Sequence, residues 1–345
     1  MKKILSSILV LCLSLLLVTP AFAASMEEGT DTLKSEFAYG VGPETNGLAI
    51  DYRYFSPVKD SDNTKYPLVV WLHGMGNGFS EGAQLTASNI CYWVSDEFQA
   101  RFTNGGAFIL APRSDESKGL CWNSSTIEPL KAAIDSFIAE NKDNIDLSRI
   151  YIGGYSMGGK MTLKMAVAFP EMFAAAFPIC PAWSPDEDAL QYIADMPIWI
   201  TSGKTDPLVN YNFSVTKTFE KLSQASNVPE ECRLSILSKV CFEDGTKTTS
   251  AHHSWYAVNH DMFSSENGDY PYMTTTNGLG ENVTLTYPNG MISWLCSHTS
   301  DYDGTPTTGK GNLGNVGNLD NIVGVSGILD FFRTLIQAIK DLFTF

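Results

Sequence analysis

Short apolar runs alternate with amphipathic segments along most of the chain. Nearly continuous apolar runs, as expected for strands buried on both faces of a sheet, lie at 66–74, 106–112, 149–154, 174–180 and 196–203. Residues 48–58 alternate and predict a further strand. Helical spacing occurs at 89–102, 127–141, 160–169 and 188–194. Strands that alternate with helices predict an α/β fold, with a mostly parallel central sheet and helices on both faces.

The chain is predicted to have four parts. Lys2 and Lys3 precede an apolar run that ends in a small-x-small motif at 21–23, the pattern of a secretory signal peptide. A run rich in Gly, Thr and Asn predicts a flexible linker towards the other end. We therefore expect a signal peptide at 1–23, an α/β domain at 24–300, a linker at 301–318 and an amphipathic helix at 319–345. The signal peptide predicts a secreted or extracytoplasmic location.

The predicted C-terminal helix carries apolar residues at three- and four-residue steps between Val325 and Phe343. Its other face holds acidic and basic residues in balance, unlike the basic face of helices that bind anionic membranes. The sequence leaves three roles open for this helix: docking on the same chain, self-association with a second copy, and contact with a cell envelope.

Charge and cysteine content limit the partners. The net charge of −15 comes without a cluster of basic residues, so we expect no nucleic-acid partner. Six cysteines follow the predicted cleavage site, and they are either paired in disulfides, with Cys232 and Cys241 as the nearest pair, or buried as thiols. Neither CxxC nor a Cys/His ligand spacing occurs, so we expect no zinc site.

The stretch "IGGYSMGGK", from Ile152 to Lys160, contains the strongest candidate for a chemical role. Ser156 lies between Gly154 and Gly158, directly after an apolar strand and directly before a helical segment. In a sharp strand-to-helix turn, larger side chains at the two glycine positions would collide, and the serine Oγ is exposed at a helix N-terminus. We therefore predict that Ser156 is a nucleophile.

An acid and two histidines follow Ser156. Serine, then acid, then histidine is the order along the chain of one known type of catalytic triad on an α/β sheet. Asp206 lies beyond the carboxyl end of the strand at 196–203, where catalytic groups of such sheets collect. His252 or His253, in "SAHHSW", would take the serine proton while Asp206 orients the imidazole. His252 is favoured because a small residue precedes it, and His260 is the third choice.

The loop "HGMGNG", at 73–78, follows an apolar strand and predicts an oxyanion hole. The backbone N–H of Met75 and that of Met157, next to the nucleophile, are the expected donors. His73 is expected to be structural. This chemistry requires neither a metal nor a cofactor.

At these motifs the chain resembles the secreted α/β-hydrolase esterases that include feruloyl and acetyl-xylan esterases and polyhydroxybutyrate-depolymerase-like proteins. The matching pieces lie within about 46–297 and include "YPLVVWLHGMG", "IYIGGYSMGG", "ITSGKTDPLV", "HHSW" and "MISWLCS". The resemblance implies a serine carboxylesterase that forms an acyl-enzyme on Ser156 and acts on feruloyl or acetyl esters of plant polysaccharide. The alternatives are a prolyl-oligopeptidase-like peptidase, a polyester depolymerase and, in another class, a non-catalytic envelope-binding protein.

Two further features bear on the substrate. Aromatic residues follow predicted strand ends or the histidines, where they form either a platform for substrate or part of the core; they are Trp122, Trp183 and Trp255. Residues 259–290 are an insertion relative to many members of the resembled family, and they lie either beside the site or on the surface away from it. In the first case three of its side chains would touch substrate: Tyr270, Tyr272 and Met273.

Overall fold

The computed structural model describes residues 31–57, 63–86, 88–242, 248–265, 268–286 and 289–305. The expected signal peptide, the C-terminal helix and the linker beyond residue 305 lie outside these ranges. Within them, no helix combines the length and the apolarity needed to cross a membrane.

Within the described residues, a nine-stranded sheet forms the centre of the domain, in the order β1-β2-β4-β3-β5-β6-β7-β8-β11. Its strands are β1 Ala38–Val41, β2 Asp51–Phe55, β3 Tyr66–Leu72, β4 Phe108–Arg113, β5 Ile145–Tyr155, β6 Ala175–Ile179, β7 Ile198–Gly203, β8 Cys232–Leu237 and β11 Met273–Asn277. The strands from β4 to β8 are parallel, whereas β1–β2, β2–β4 and β8–β11 pair antiparallel. A separate ladder joins β9 Ser264–Ser265 to β10 Gly268–Asp269. The predicted, mostly parallel sheet is confirmed.

The α-helices after β3 lie between the later strands or after the last one. They are α1 Ala83–Thr86, α2 Asp96–Gln99, α3 Ile127–Asn141, α4 Met157–Ala168, α5 Glu187–Leu190, α6 Thr216–Ala225, α7 Trp255–Asn259 and α8 Met291–Cys296. The single helix predicted at 89–102 is wrong, because Ser95 is extended (φ −66°, ψ 151°) and separates a 3₁₀ turn from α2. The turn before α3 is capped by the Asn123 side chain, which accepts the Ser125 N–H.

Strand β3 explains why helices cover both faces of the sheet. Its side chains alternate between the two faces, as the period of a strand requires. Leu68, Val70 and Leu72 belong to a core that includes side chains of α3 and α4. Val69 and Trp71 belong to a second core that includes side chains of α7 and α8. The buried position of β3 places its carboxyl end in the middle of the domain.

The 259–290 insertion extends the sheet at one edge. Its strand β11 pairs with β8, with Met273 opposite Leu237. Four strand spacings separate β11 from β5, which is about 19 Å. The Tyr270 hydroxyl accepts the Cys241 N–H at 2.8 Å and donates to the Cys241 carbonyl at 3.3 Å. Met273 is therefore part of the sheet edge rather than of a loop over Ser156, and contact of Tyr270, Tyr272 and Met273 with substrate stays a prediction.

All six cysteines in the described residues are free thiols. Four are buried and two, Cys121 and Cys296, are half-buried. Burial raises the pKa of the Cys91 thiol to about 12 and also raises the pKa values of Cys232 and Cys296. Of the two interpretations that the sequence left open, buried thiols are observed, and the Cys232–Cys241 disulfide does not form.

Candidate active site

Ser156 lies at the junction between β5 and α4, and its backbone is strained. Its φ of 59° and ψ of −112° lie outside the regions that non-glycine residues favour. The Ser156 N–H donates to the Ile179 carbonyl at 2.9 Å, and the Ser156 carbonyl accepts the Lys160 N–H at 3.0 Å. These bonds hold the turn between β6 and the first turn of α4. The predicted strand, turn and helix are confirmed.

Glycine is required on both sides of this turn because β3 passes directly against it. A Cβ at Gly158 would lie 1.9 Å from the Leu72 carbonyl oxygen, and one at Gly154 would lie 2.6 Å from the same atom. A Cβ at Gly154 would also lie 2.8 Å from the backbone of Gly158. The collision predicted between these positions is confirmed, and β3 is an additional cause of it.

His252 connects Ser156 to Asp206. Its Nε2 lies 3.1 Å from Ser156 Oγ, and its Nδ1 lies 2.8 Å from Asp206 Oδ2. The Asp206 side chain is fully buried, and its Oδ1 accepts the N–H groups of Leu208 and Val209 at 2.8 and 2.9 Å. Because Nδ1–H donates to this fixed carboxylate, Nε2 is left to accept the Ser156 hydroxyl proton. Ser156, His252 and Asp206 therefore form a proton relay, in which a proton can move from Ser156 to His252.

His253 and His260 lie elsewhere. His253 Nδ1 lies 2.8 Å from Thr249 Oγ1, and burial together with the neighbouring His252 lowers its pKa to about 4. His260 Nε2 faces the Asn89 side-chain amide at 3.2 Å. The prediction that kept His253 as a candidate base is thus corrected, because successive residues of this 3₁₀ turn point in different directions.

The surroundings of His252 shift its pKa in opposing ways. Burial lowers this pKa, whereas the Cys180 sulfur and the Asp206 carboxylate raise it. The net shift is upward, because the Cys180 sulfur and the Asp206 carboxylate together stabilise the imidazolium by more than burial disfavours it. His252 therefore becomes a neutral base for Ser156 at a higher pH than an ordinary histidine does.

Cys180, which no sequence pattern indicated, lies beside Asp206 and His252. It directly follows β6 with a φ of 33°, and its N–H donates to the Thr201 carbonyl at 2.8 Å. Its thiol donates to the His252 carbonyl at 3.6 Å. The ligand atoms of Cys180, Asp206 and His252 lie within 4.8 Å of one another, so these three residues form a donor set that could hold a metal ion. In this structure Asp206 and His252 hydrogen-bond to each other, and the Cys180 thiol bonds to the His252 backbone.

Gly203, at the end of β7, was also missed. A Cβ at Gly203 would lie 2.2 Å from the Ala251 carbonyl oxygen, so only glycine lets the histidine loop approach this closely. Ser250 Oγ accepts the His252 N–H at 3.3 Å and caps the same turn. In the sequence, the glycine that ends "ITSG" was the residue that could have indicated this close approach.

The loop at 73–78 passes close to the nucleophile. A Cβ at Gly74 would lie 2.3 Å from the Tyr155 ring, and a Cβ at Gly158 would lie 2.6 Å from the His73 carbonyl oxygen. In the described part of the chain, the N–H groups of Met75 and Met157 have no hydrogen-bond acceptor. Both groups are therefore available to an oxygen of a ligand.

His73 holds this loop and takes no part in the relay. Its Nδ1–H donates to the Gly74 carbonyl at 2.7 Å, and its Nε2 accepts the Ser114 N–H at 3.1 Å. These two roles require a neutral ring, and complete burial lowers the His73 pKa to about 4. The structural role expected for His73 agrees with these contacts.

The tryptophans pack inside the protein. Trp122 is 1% exposed, and its indole N–H donates to the His73 carbonyl at 3.0 Å, so its predicted place in a substrate platform is wrong. Trp183 and Trp255 are 3% and 8% exposed and offer little surface to a substrate. The Trp255 ring meets the Tyr155 ring edge-on, with centroids 6.3 Å apart. Trp122 and Trp255 thus support the site from its interior.

Known proteins share this fold and part of this sequence. The sequence matches the phospholipase/carboxylesterase family over residues 55–248, which include Ser156 and Asp206 and end just before His252. Among solved structures, a thermostable esterase superposes with a TM-score of 0.59 at 26% identity. That alignment covers 78% of this chain and 64% of the esterase.

Two curated relatives match shorter segments. A poly(3-hydroxybutyrate) depolymerase of Ralstonia pickettii is 25% identical over 179 residues, which cover 47% of this chain and 35% of the depolymerase. Feruloyl esterase B of Neurospora crassa is 31% identical over 134 residues, which cover 36% of this chain and 41% of that esterase. The match thus spans less than half the length of either relative. The family match covers more than half of this chain and coincides with the α/β-hydrolase fold, so the chain belongs to the phospholipase/carboxylesterase family.

Proposed function

We propose that the chain is a serine ester hydrolase that forms an acyl-enzyme on Ser156. The observation that carries this proposal is the continuous relay from Ser156 Oγ through His252 to Asp206. His252 Nε2 takes the serine proton as Oγ attacks the ester carbonyl, and the imidazolium then protonates the leaving alcohol. The same nitrogen next deprotonates a water molecule, which hydrolyses the acyl-enzyme. The N–H groups of Met75 and Met157 stabilise the oxyanion formed in both steps.

The substrates we propose are feruloyl or acetyl esters of plant polysaccharide. The similarity to feruloyl esterase B, 31% over 134 residues, supports this choice. Both kinds of substrate carry a carboxylic ester that the Ser156 relay can cleave in the same way, so the difference between them lies in the pocket for the acyl group.

Polyester depolymerisation is the second candidate function. The longer of the two curated matches is to a poly(3-hydroxybutyrate) depolymerase, over 179 residues. Leu208, two residues after Asp206, is 56% exposed, and Phe79, just after the oxyanion loop, is 42% exposed. Exposed apolar side chains beside the site suit attachment to an apolar polymer surface.

A substrate panel tests these proposals. The wild-type chain, Ser156→Ala and the control Ser136→Ala, on the distant helix α3, are assayed on p-nitrophenyl acetate, methyl ferulate, acetylated xylan, poly(3-hydroxybutyrate) and a peptide amide. We expect ester turnover by the wild type and the control, and a loss of about 10³-fold or more in Ser156→Ala. The preferred ester identifies the substrate class.

A fluorophosphonate probe gives an independent readout of the nucleophile. It should label the wild type and Ser136→Ala but not Ser156→Ala. Equal ester turnover by Ser156→Ala would contradict the mechanism. Turnover of the peptide amide without comparable ester turnover would favour a peptidase, and absence of labelling in all three proteins would favour a non-catalytic role.

We also propose that the chain is exported, on the basis of the pattern at 1–23. Mass spectrometry of protein recovered from outside the producing cells should find Ala24 as the first residue. Protein that stays inside the cells and retains Met1 would contradict export.

A further inference from the structure

The oxyanion loop, residues 73–78, has little rigidity of its own. Three of its six residues are glycines, and Gly76 has a φ of 91°. Glycine adopts such a conformation freely but does not enforce it. Stabilisation of an oxyanion depends on donors that already point in the right direction before the reaction begins. Contacts from outside the loop must therefore hold the Met75 N–H in place.

Glu116, just after β4, makes such contacts. Its carboxylate accepts the Gly76 N–H at 2.8 and 3.0 Å and the Gly78 N–H at 3.1 Å. Its own backbone N–H donates to the Gly78 carbonyl at 3.3 Å. One residue thus binds the second half of the loop through both its side chain and its backbone.

Neighbouring residues reinforce this attachment. Arg113 Nη1 donates to the Gly78 carbonyl at 3.1 Å, and the Arg113 guanidinium is held by Asp51 at 2.8 Å in a buried ion pair. The Ser114 N–H donates to His73 at the other end of the loop. A Cβ at Gly78 would lie only 2.0 Å from the Ser114 carbonyl oxygen. The segment 113–116 therefore fixes both ends of the oxyanion loop.

The bond between the Gly76 N–H and Glu116 lies next to the peptide group that carries the Met75 N–H, so it affects the direction of that donor. The Gly76 N–H and the Met75 carbonyl belong to one planar peptide group. Holding that N–H fixes the plane next to the one that carries the Met75 N–H. Without the bond, rotation could turn a carbonyl oxygen towards the oxyanion and repel it.

We propose that Glu116 is a positioning residue for the oxyanion hole, orienting the loop at 73–78 so that the Met75 N–H faces the substrate oxygen. The inference rests on the proposed ester hydrolysis at Ser156. Glu116 acts through its acceptor geometry and does not touch substrate.

The electrostatics of Glu116 agree with a geometric role. Burial raises the Glu116 pKa, the N–H groups of Gly76 and Gly78 lower it, and the net shift is upward. The surroundings therefore disfavour the negative charge compared with water, while they still use the oxygens as acceptors. An uncharged side chain of the same length should serve in place of Glu116, whereas a shorter carboxylate should not.

Three substitutions separate geometry from charge. Glu116→Gln has one acceptor oxygen, which at the Oε2 position still reaches the N–H groups of both Gly76 and Gly78. Glu116→Asp keeps the charge but shortens the reach, and Glu116→Ala removes both the acceptor and the charge. Glu81→Ala is the matched control, because Glu81 pairs with Arg53 near the loop without binding it. The measurements are kcat and KM on p-nitrophenyl acetate, thermal unfolding, and inhibition by phenylboronic acid, whose tetrahedral adduct with Ser156 places an oxygen in the oxyanion hole.

We expect kcat to fall about 10- to 100-fold in Glu116→Ala and Glu116→Asp, with KM changed by less than about threefold. Inhibition by the boronic acid should weaken by a similar factor. Glu116→Gln and Glu81→Ala should stay within about threefold of the wild type in kcat.

Two results would overturn the inference. One is wild-type kcat in a folded Glu116→Ala or Glu116→Asp. The other is an equal loss in Glu116→Gln that follows loss of thermal stability, which would assign Glu116 to folding alone. A wild-type chain without ester turnover would refute the proposed function first and the inference with it, so the two failures are distinguished by the wild-type assay.

Discussion

His252 Nε2 lies 3.1 Å from Ser156 Oγ, although 96 positions separate the two residues in sequence. Ser156 follows the end of β5, and the turn that contains His252 packs against the end of β7, two positions away in the sheet. Ser156 is held there by a strained turn, and His252 by the close approach of Ala251 to Gly203. The relay thus depends on backbone packing at two strand ends as well as on its three side chains.

Substitution of each adjacent histidine should give different results. His252→Ala removes the group that accepts the Ser156 proton, so kcat on p-nitrophenyl acetate should fall by about 10³-fold or more. His253→Ala loses contacts with Thr249 and with the Trp255 ring but none with Ser156 or Asp206, so kcat should stay within about threefold. Circular dichroism checks that both proteins are folded. An inactive His253→Ala beside an active His252→Ala would contradict the assignment.

The pH dependence should report the upward shift of the His252 pKa. Ester hydrolysis needs the neutral imidazole, so kcat/KM should rise with pH through an apparent pKa above the ordinary value of 6.5. Asp206→Asn removes one of the two groups that raise this pKa and leaves the Cys180 sulfur, which raises it, and burial, which lowers it. The acid limb should then move to lower pH, while the plateau falls by about 10⁴-fold. A wild-type limb at or below pH 6.5 would argue against the upward shift.

The strain at Ser156 should appear as a difference in stability between two substitutions. Glycine tolerates the φ of 59° and alanine does not, so Ser156→Gly should be more stable than Ser156→Ala by about 1 kcal/mol. At Ser136, inside α3, the order should reverse, with glycine about 1 kcal/mol less stable than alanine. Urea unfolding of the four proteins measures both differences. If alanine is the more stable substitution at Ser156 as it is at Ser136, the turn stores no strain.

Gly203→Ala should disturb the relay without touching any of its side chains. The new Cβ would overlap the Ala251 carbonyl, from which it would lie 2.2 Å away, and would push the histidine loop outward. A displacement of about 1 Å at the reacting groups can lower kcat about 100-fold. Gly280→Ala is the control, because its positive φ of 81° is strained but nothing lies within 4 Å of its Cβ. Equal kcat values in these two variants would contradict the proposed role of Gly203.

Stability should fall as the solution becomes acidic, in part because of His73. Burial lowers its pKa from 6.5 to about 4, so in this range the unfolded chain binds a proton that the folded chain does not. The contribution is complete above pH 6.5 and decreases towards pH 4, by about 3 kcal/mol in all. Urea unfolding followed by tryptophan fluorescence at pH 7.5 and pH 4.5 measures the loss. His73→Asn should reduce this pH dependence, and an unchanged dependence would contradict the account.

Local patterns predicted the parts of the site that are local. The apolar runs predicted the parallel strands, and the glycines around Ser156 predicted the turn, because each depends on a few consecutive residues. The choice between His252 and His253 depends on the direction of each side chain on a 3₁₀ turn, which no pattern in the sequence encodes. Trp122 follows a strand end, where a side chain can be either exposed or buried, so its position in the sequence did not predict its burial.

Contacts between distant segments escaped prediction. Glu116 reaches Gly76 across 40 positions, and Cys180 reaches His252 across 72. Neither pair is related by a helical or strand period, so nothing in the sequence joins them. Only the sheet order, which brings the ends of β3, β4, β6 and β7 together, makes these residues neighbours.

The antiparallel direction of β11 has a practical consequence. Met273 lies opposite Leu237, at the carboxyl ends of the parallel strands where the relay is found, whereas Asn277 lies opposite Arg233 at the other end of the strands. The turn that follows Asn277 includes Leu279, which is 52% exposed. A covalent tether at Leu279 would attach the protein to a bead or an electrode with Ser156 turned towards the solution, which is the orientation that an immobilised catalyst needs.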